Sequence, residues 1–146
     1  MANKEINIFY TDDDKDDILF FKDAVKVASK EVNVIATFDG GSLLQLLNNP
    51  PPEPAVVFLD WNMPGQTGAD VLDEIRNTNL LKKIPVIIFS TSDSPVHIQN
   101  SRRLGANMYI TKPTSFQDIV KVLKHCFTID WKTFVADDTT YVYKLA

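Results

Sequence analysis

Five short apolar runs alternate with five stretches of helical periodicity, and that alternation constrains the fold of this chain more than any other feature. Ile6 to Tyr10 reads as a strand, and Ile18, Phe21, Val25 and Ala28 then recur at helical spacing. Val32 to Phe38 is rich in β-branched residues; Gly40-Gly41 punctuates, and Ser42 to Leu47 is a short helix ended by Asn48-Asn49 and a proline run. Ala55 to Leu59 is continuously apolar, as a strand covered on both faces requires, and Val71, Leu72 and Ile75 share one side of a helix over Ala69 to Arg76. Pro85 to Phe89 repeats the buried-strand pattern. Behind it Ser94 suits an N-cap, Pro95 the first helical position and Leu104-Gly105 a helix stop. Asn107 to Ile110 is the last short strand, and Phe116, Ile119, Val120, Leu123 and Phe127 stripe a final helix beginning near Ser115.

Such regular alternation predicts an α/β fold, a doubly wound parallel five-stranded sheet with five helices on its two faces, joined by right-handed crossovers. A length of 146 residues, 45% of them hydrophobic, suits one domain with a real core. Residues 1–128 carry the pattern. Residues 129–146 form a C-terminal extension too aromatic, with Trp131, Phe134, Tyr141 and Tyr143, to read as a disordered tail, and too short for an output domain. It is expected either to pack on the domain or to form a partner contact or a homodimer. The net charge of -4 and the lack of a long basic run argue against nucleic acid as a partner. The single cysteine, Cys126, lies on the apolar face of a helix and reads as a core thiol. No signal-like start and no run of roughly 20 apolar residues is present, which points to the cytoplasm and away from a membrane.

In an open parallel sheet, ligands bind beyond the carboxyl ends of the strands, where strand order reverses. The residues following the strands are Asp12, Asp13 and Asp14 after the first, Asp60 after the third, Ser90 and Thr91 after the fourth, and Thr111 and Lys112 after the fifth. The first loop, TDDDKDD, is dense in charge: two carboxylates about 4 Å apart repel by roughly 4 kcal/mol at an effective dielectric of about 20. A hard cation such as Mg2+, which takes one or two carboxylates plus phosphate oxygens, would offset that repulsion. A lysine and a hydroxyl opposite the metal suit a phosphoryl group in transfer, and an aspartate can itself be the nucleophile.

The stretches IFYTDDDKDD, VVFLDWNMPGQTG, PVIIFSTSD and LGANMYITKP, in this order and spacing, resemble a response regulator receiver domain of two-component signalling over residues 5 to about 127. The resemblance implies a flavodoxin-like sheet of order 2-1-3-4-5, a phosphoprotein carrying an aspartyl phosphate, and Mg2+ as cofactor. By position, Asp60 matches the phosphoacceptor, Asp13 a direct Mg2+ ligand, Asp12 a ligand through water, and Asn62 the residue whose backbone carbonyl completes the set. Ser90 and Lys112 match the hydroxyl and the lysine that meet the phosphoryl group, and Tyr109 the aromatic that moves on activation. Pro113 follows Lys112 at a peptide bond often cis in the family, which proline tolerates at about 1 kcal/mol or less. The implied partners are a sensor histidine kinase or a histidine phosphotransfer protein, and a downstream protein reached by contact. Trp61, Thr91 and Ser92 neighbour the site; Thr67 stands where an acidic residue is common.

Other readings compete. Asp14, Asp16 and Asp17 are expected to start the first helix by capping and by their charge near its N-terminus. The one-three-five spacing of Asp12, Asp14 and Asp16 evokes a calcium loop, but Asp17 occupies the position that needs glycine. A haloacid-dehalogenase-type phosphatase also uses a strand-end aspartate, yet its second aspartate is replaced here by Asn62. A degenerate receiver that only docks would lack the acceptor or the lysine. Flavin binding would need phosphate donors in the first loop, which offers aspartates. His97 and His125 read as surface or packing residues, and Arg102-Arg103 as a solvated helix face.

Overall fold

A computed structural model describes residues 6–48 and 55–145. Parallel strands β1 (Ile6–Thr11), β2 (Val32–Thr37), β3 (Ala55–Leu59), β4 (Val86–Ser90), β5 (Met108–Thr111) and β6 (Val142–Tyr143) form one sheet of order β2-β1-β3-β4-β5-β6. Helices α1 (Lys15–Ala28), α2 (Gly40–Leu47), α3 (Gly68–Asn77), α4 (Pro95–Leu104) and α5 (Phe116–Thr128) connect them. The expected five strands are present in the expected order, and a short sixth strand extends the sheet. Residues Met1–Glu5, and the Asn49 and prolines expected to end the second helix, lie outside the described residues.

Side-chain alternation along the strands sorts the core into two layers. Ile8, Tyr10, Val56, Phe58, Ile87, Phe89, Met108 and Ile110 meet Ile18, Phe21 and Val25 of α1 and Ile119 and Leu123 of α5. Phe9, Val57, Leu59, Val86, Ile88 and Tyr109 face the other way, against Leu43 and Leu47 of α2 and Val71, Leu72 and Ile75 of α3. β3 and β4 are buried throughout, which explains their unbroken apolar sequence.

Local chemistry sets the helix ends. Asp14 caps α1 by accepting from Asp16 N and Asp17 N, and Thr67 and Asp70 form a reciprocal capping box on α3. Thr67 therefore has a structural task at the position where an acidic residue is common. Ser94 occupies the N-cap of α4 without a side-chain cap bond; Pro95 alone marks that start, and Gly105 ends the helix at φ 105 in the left-handed region.

The C-terminal segment packs on the edge of the sheet. Tyr109 N donates to Tyr141 O at 2.9 Å, bringing Val142 opposite Tyr109 and Tyr143 opposite Ile110. Tyr141 is 2% exposed, shares a 2.6 Å hydrogen bond with the buried Ser101 of α4, and lies under the Arg102 guanidinium at 5.6 Å. Arg102 also pairs with Asp138 at 2.6 Å, so it is more than the solvated helix face expected. Trp131 Nε1 donates to Cys126 O on α5, and His125 stacks on Tyr143 with ring centroids 4.0 Å apart. Truncating a buried aromatic costs about 3–5 kcal/mol. Tyr141→Ala is accordingly expected to lower unfolding free energy by about 3 kcal/mol in urea titrations, and Tyr141→Phe by only about 1 kcal/mol for one hydrogen bond.

Candidate functional site

Strand order reverses beside β1, which has β2 on one side and β3 on the other. The carboxyl end of β1 is tied to both neighbours there: Asp60 N, just past β3, donates to Thr11 O at 3.1 Å, and Asp12 N donates to Thr37 O of β2 at 3.2 Å. Ligand oxygens of Asp12, Asp13 and Asp60 consequently lie within 4.8 Å of one another. Asp12 and Asp60 are buried and Asp13 is exposed. Three convergent carboxylates form an oxygen donor set of the kind that suits a hard divalent cation, so the residues present fit such an ion.

Lys112 enters from the far side of the rim. Its Nζ donates to Asp12 Oδ2 at 2.6 Å and to Asp17 Oδ2 at 3.0 Å, and lies 3.8 Å from Asp60 Oδ2. Lys112 N donates to Ser90 O at 2.7 Å, tying the fourth and fifth strand ends together. Asp12 Oδ2 also accepts from the buried Tyr10 hydroxyl at 2.6 Å, while Oδ1 accepts from Asp14 N at 3.0 Å.

These contacts set the protonation behaviour. Burial raises the Asp60 carboxyl to about 6, against the pull of Lys112 and with a further push from Asp12 and Asp13. Burial also works against ionised Asp12, but the hydrogen bonds from Lys112 and Tyr10 hold its carboxyl below the ordinary range. Burial would lower Lys112, yet its hydrogen bond to Asp12 and the charge of Asp60 raise it. Burial and the Asp12 charge push the Tyr10 phenol far up, so it stays a donor.

The folded-state pKa of Asp60, about 6, exceeds the ordinary carboxyl value of 3.8, so the folded state binds this proton more tightly and the contribution of Asp60 to stability falls as pH rises from about 4 to about 6. In chelator, Asp60→Asn is expected to melt higher than wild type at pH 7.5, with the gap closing toward pH 4. Thermal unfolding across that range checks it.

Sequence-predicted residues divide between the rim and its support. Asp12, Asp13, Asp60 and Lys112 meet directly, and Ser90 stands fully buried beside them, its Oγ accepting from Ser92 N at 3.3 Å. Asn62 N approaches Asp60 Oδ1 at 3.4 Å. The Tyr109 hydroxyl is turned to Ser92 O at 2.6 Å, and Ser92 Oγ shares a 2.8 Å bond with His97 Nδ1. Thr91, Pro113, Asp17, Tyr10 and Phe20 line a cleft of about 250 Å³ next to Lys112. Trp61 is 6% exposed and packs with Met63 into the core layer of α2 and α3; it anchors the loop after Asp60. Gly68 N donates to Trp61 O, and a Cβ on Gly68 would sit 2.5 Å from Asp60 O, so only glycine lets that loop close.

Sequence reasoning missed two members. Tyr10 is hidden in an apolar run, although the two-residue strand repeat that aims it and Asp12 the same way was a usable signal. Asp17 was expected only to help start α1; its carboxylate instead reaches Lys112, 95 positions away, a contact that only the fold reveals.

Known proteins resemble the chain in both sequence and shape. A sequence model of the response regulator receiver domain matches residues 8–124. Response regulator Rcp1 of Synechocystis is 29% identical over 122 residues, 80% of this chain and 83% of Rcp1. The structure of the Mn(2+)-bound form of Rcp1 superposes with a TM-score of 0.74 at 26% identity, covering 90% of this chain and 98% of that one. The structure of a phosphorylated cyanobacterial phytochrome response regulator, RcpA, gives 0.76 at 28% identity, covering 92% and 98%.

Proposed function

The chain belongs to the response regulator receiver domain family, whose members are phosphorylated by histidine kinases in two-component signalling, and from that premise we propose that Asp60 is its phosphoryl acceptor. The convergence of Asp12, Asp13 and Asp60 within 4.8 Å, with Lys112 across the rim, is the observation that carries the reading.

Transfer proceeds from a phosphohistidine of a kinase or phosphotransfer protein. An Asp60 carboxylate oxygen attacks phosphorus, the P–N bond breaks, and the imidazole nitrogen keeps the electron pair and takes up a proton. Asp13, Asp60 and the Asn62 carbonyl would hold Mg2+, with Asp12 supporting it, and the bound ion would supply neutralisation of charge on the phosphoryl oxygens. Lys112 pairs with one of those oxygens and the Ser90 hydroxyl donates to another, so the new charge is met by donors fixed at strand ends. Tyr10 keeps Asp12 aligned through its hydroxyl proton. Ser92 accepts from Tyr109 and shares its hydroxyl with His97 of α4, so a shift of Ser90 toward the phosphoryl group reaches Tyr109 and α4. The signal leaves by protein contact. The chain acts on no separate substrate.

Incubation with Mg2+ and acetyl phosphate tests the reading. Intact mass should show one phosphoryl group on wild type and none on Asp60→Asn. No adduct on wild type, or sustained phosphate release from many substrates, contradicts it.

A further inference from the structure

We infer that Asp17 is a positioning residue for Lys112: its carboxylate holds the ammonium on the α1 side of the rim, and Lys112 must leave Asp17 to reach a phosphoryl group on Asp60. The inference rests on the reading of Asp60 as acceptor.

The resting contacts of Lys112 do not include a hydrogen bond to the acceptor. An ammonium has three protons. Two are directed to Asp12 Oδ2 and Asp17 Oδ2 at 2.6 and 3.0 Å, whereas the 3.8 Å to Asp60 Oδ2 exceeds hydrogen-bonding distance. The third proton is free for a phosphoryl oxygen, but drawing Nζ toward Asp60 to close the 3.8 Å gap lengthens one of the two short contacts, and they are not equivalent. The Asp12 side chain is 1% exposed and would be left as a buried anion; the Asp17 side chain is 36% exposed and is rehydrated on release. The Asp17 contact is therefore the one that opens, and Lys112 pivots about Asp12.

Placement fits the task. Asp14 caps α1 through Asp16 N and Asp17 N, fixing the first turn so that Asp17 points at Lys112 across the cleft it shares with Thr91 and Pro113. A carboxylate that stabilises the ammonium only in the resting position stabilises the unphosphorylated state and leaves transfer slower. In hydrolysis of the aspartyl phosphate, Lys112 is already on the phosphoryl group both in the phosphorylated state and in the transition state that follows it, so Asp17 acts on uptake and not on decay.

Uptake from acetyl phosphate at saturating Mg2+, followed by intact mass, and decay after removal of donor, test the inference. Asp17→Asn should accelerate uptake roughly two- to fivefold, the size of a part-exposed ion pair, while decay changes less than about twofold. Asp17→Glu, which restores the charge, should return uptake toward wild type, and Asp16→Asn, in the same turn, should not accelerate it. Asp17→Ser gives the same readout should the amide distort the turn. In a Lys112→Met background the Asp17 effect should vanish. Unchanged or slower uptake in Asp17→Asn and Asp17→Ser overturns the inference, as does acceleration that persists without Lys112. A wild type that takes no phosphoryl group sinks the Asp60 reading and this inference with it; a phosphorylated wild type indifferent to Asp17 sinks the inference alone.

Discussion

Asp13→Ala is expected to abolish Mg2+ binding and phosphoryl uptake together while leaving the fold intact. Asp12 already accepts from Tyr10, Lys112 and Asp14 N, and Asp60 is approached by Asn62 N and Lys112. Asp13 is exposed and makes no hydrogen bond among the described residues, so it is the carboxylate with free lone pairs to offer. Removing groups that merely orient metal ligands costs 10- to 100-fold in affinity, so losing a direct ligand should weaken Mg2+ by at least about 100-fold. Apo stability should stay within about 0.5 kcal/mol of wild type, because no internal contact is lost. Fluorescence of Trp61, next to the acceptor, reads the titration, with Trp131 as constant background. A Mg2+ response like that of wild type would refute the assignment of Asp13.

Lys112→Met should damage stability and chemistry at once. Met keeps much of the stem, so the change isolates the charge. Uptake should slow by roughly 100- to 1,000-fold, the usual consequence of removing one preorganised charge stabiliser. The same change strips the buried Asp12 carboxylate of its cation, which typically costs about 3 kcal/mol or more. The depressed pKa of Asp12 contributes stability above its unfolded value and loses it as pH falls, so the deficit should be largest near neutrality and shrink below about pH 4. Added Mg2+ should recover part of it by replacing the missing positive charge. Urea unfolding with and without Mg2+, beside uptake rates, checks both halves. A variant as stable as wild type at pH 7 in chelator would show that Asp12 does not depend on Lys112.

The fold was legible because its signal is carried by long-period pattern. Ala55–Leu59 is a strand in both sequence and structure, since burial on both faces demands unbroken apolar residues. α4 likewise keeps the expected bounds, Pro95 to Leu104, while several other elements moved by a residue or a few at their ends, as with the first strand, which continues to Thr11, whose hydroxyl shares a hydrogen bond with Thr37. β6 escaped detection for a physical reason: two residues at a sheet edge have no period, and they hold through Tyr141 packing on α4 and backbone pairing with β5. The rim residues were legible individually because topology sends strand ends to one edge. What stayed hidden was how they are wired. Tyr10 looked like core because most of it is core, with only its hydroxyl meeting Asp12. Asp17 looked like a helix-starting acid because it is that as well. Trp61, read as a neighbour of the acceptor, is a packing anchor, since the chain turns it inward immediately after Asp60.

The central claim is that Asp60 itself takes the phosphoryl group, and chemical trapping tests it most directly. Borohydride reduces an aspartyl phosphate, but not a free carboxylate, to homoserine. After treatment with acetyl phosphate and Mg2+, then borohydride and proteolysis, the peptide containing VVFLDWNMP should carry homoserine at position 60, with none at positions 12, 13 or 17. Homoserine at another aspartate, or at none while the intact protein carries phosphate, would contradict the account.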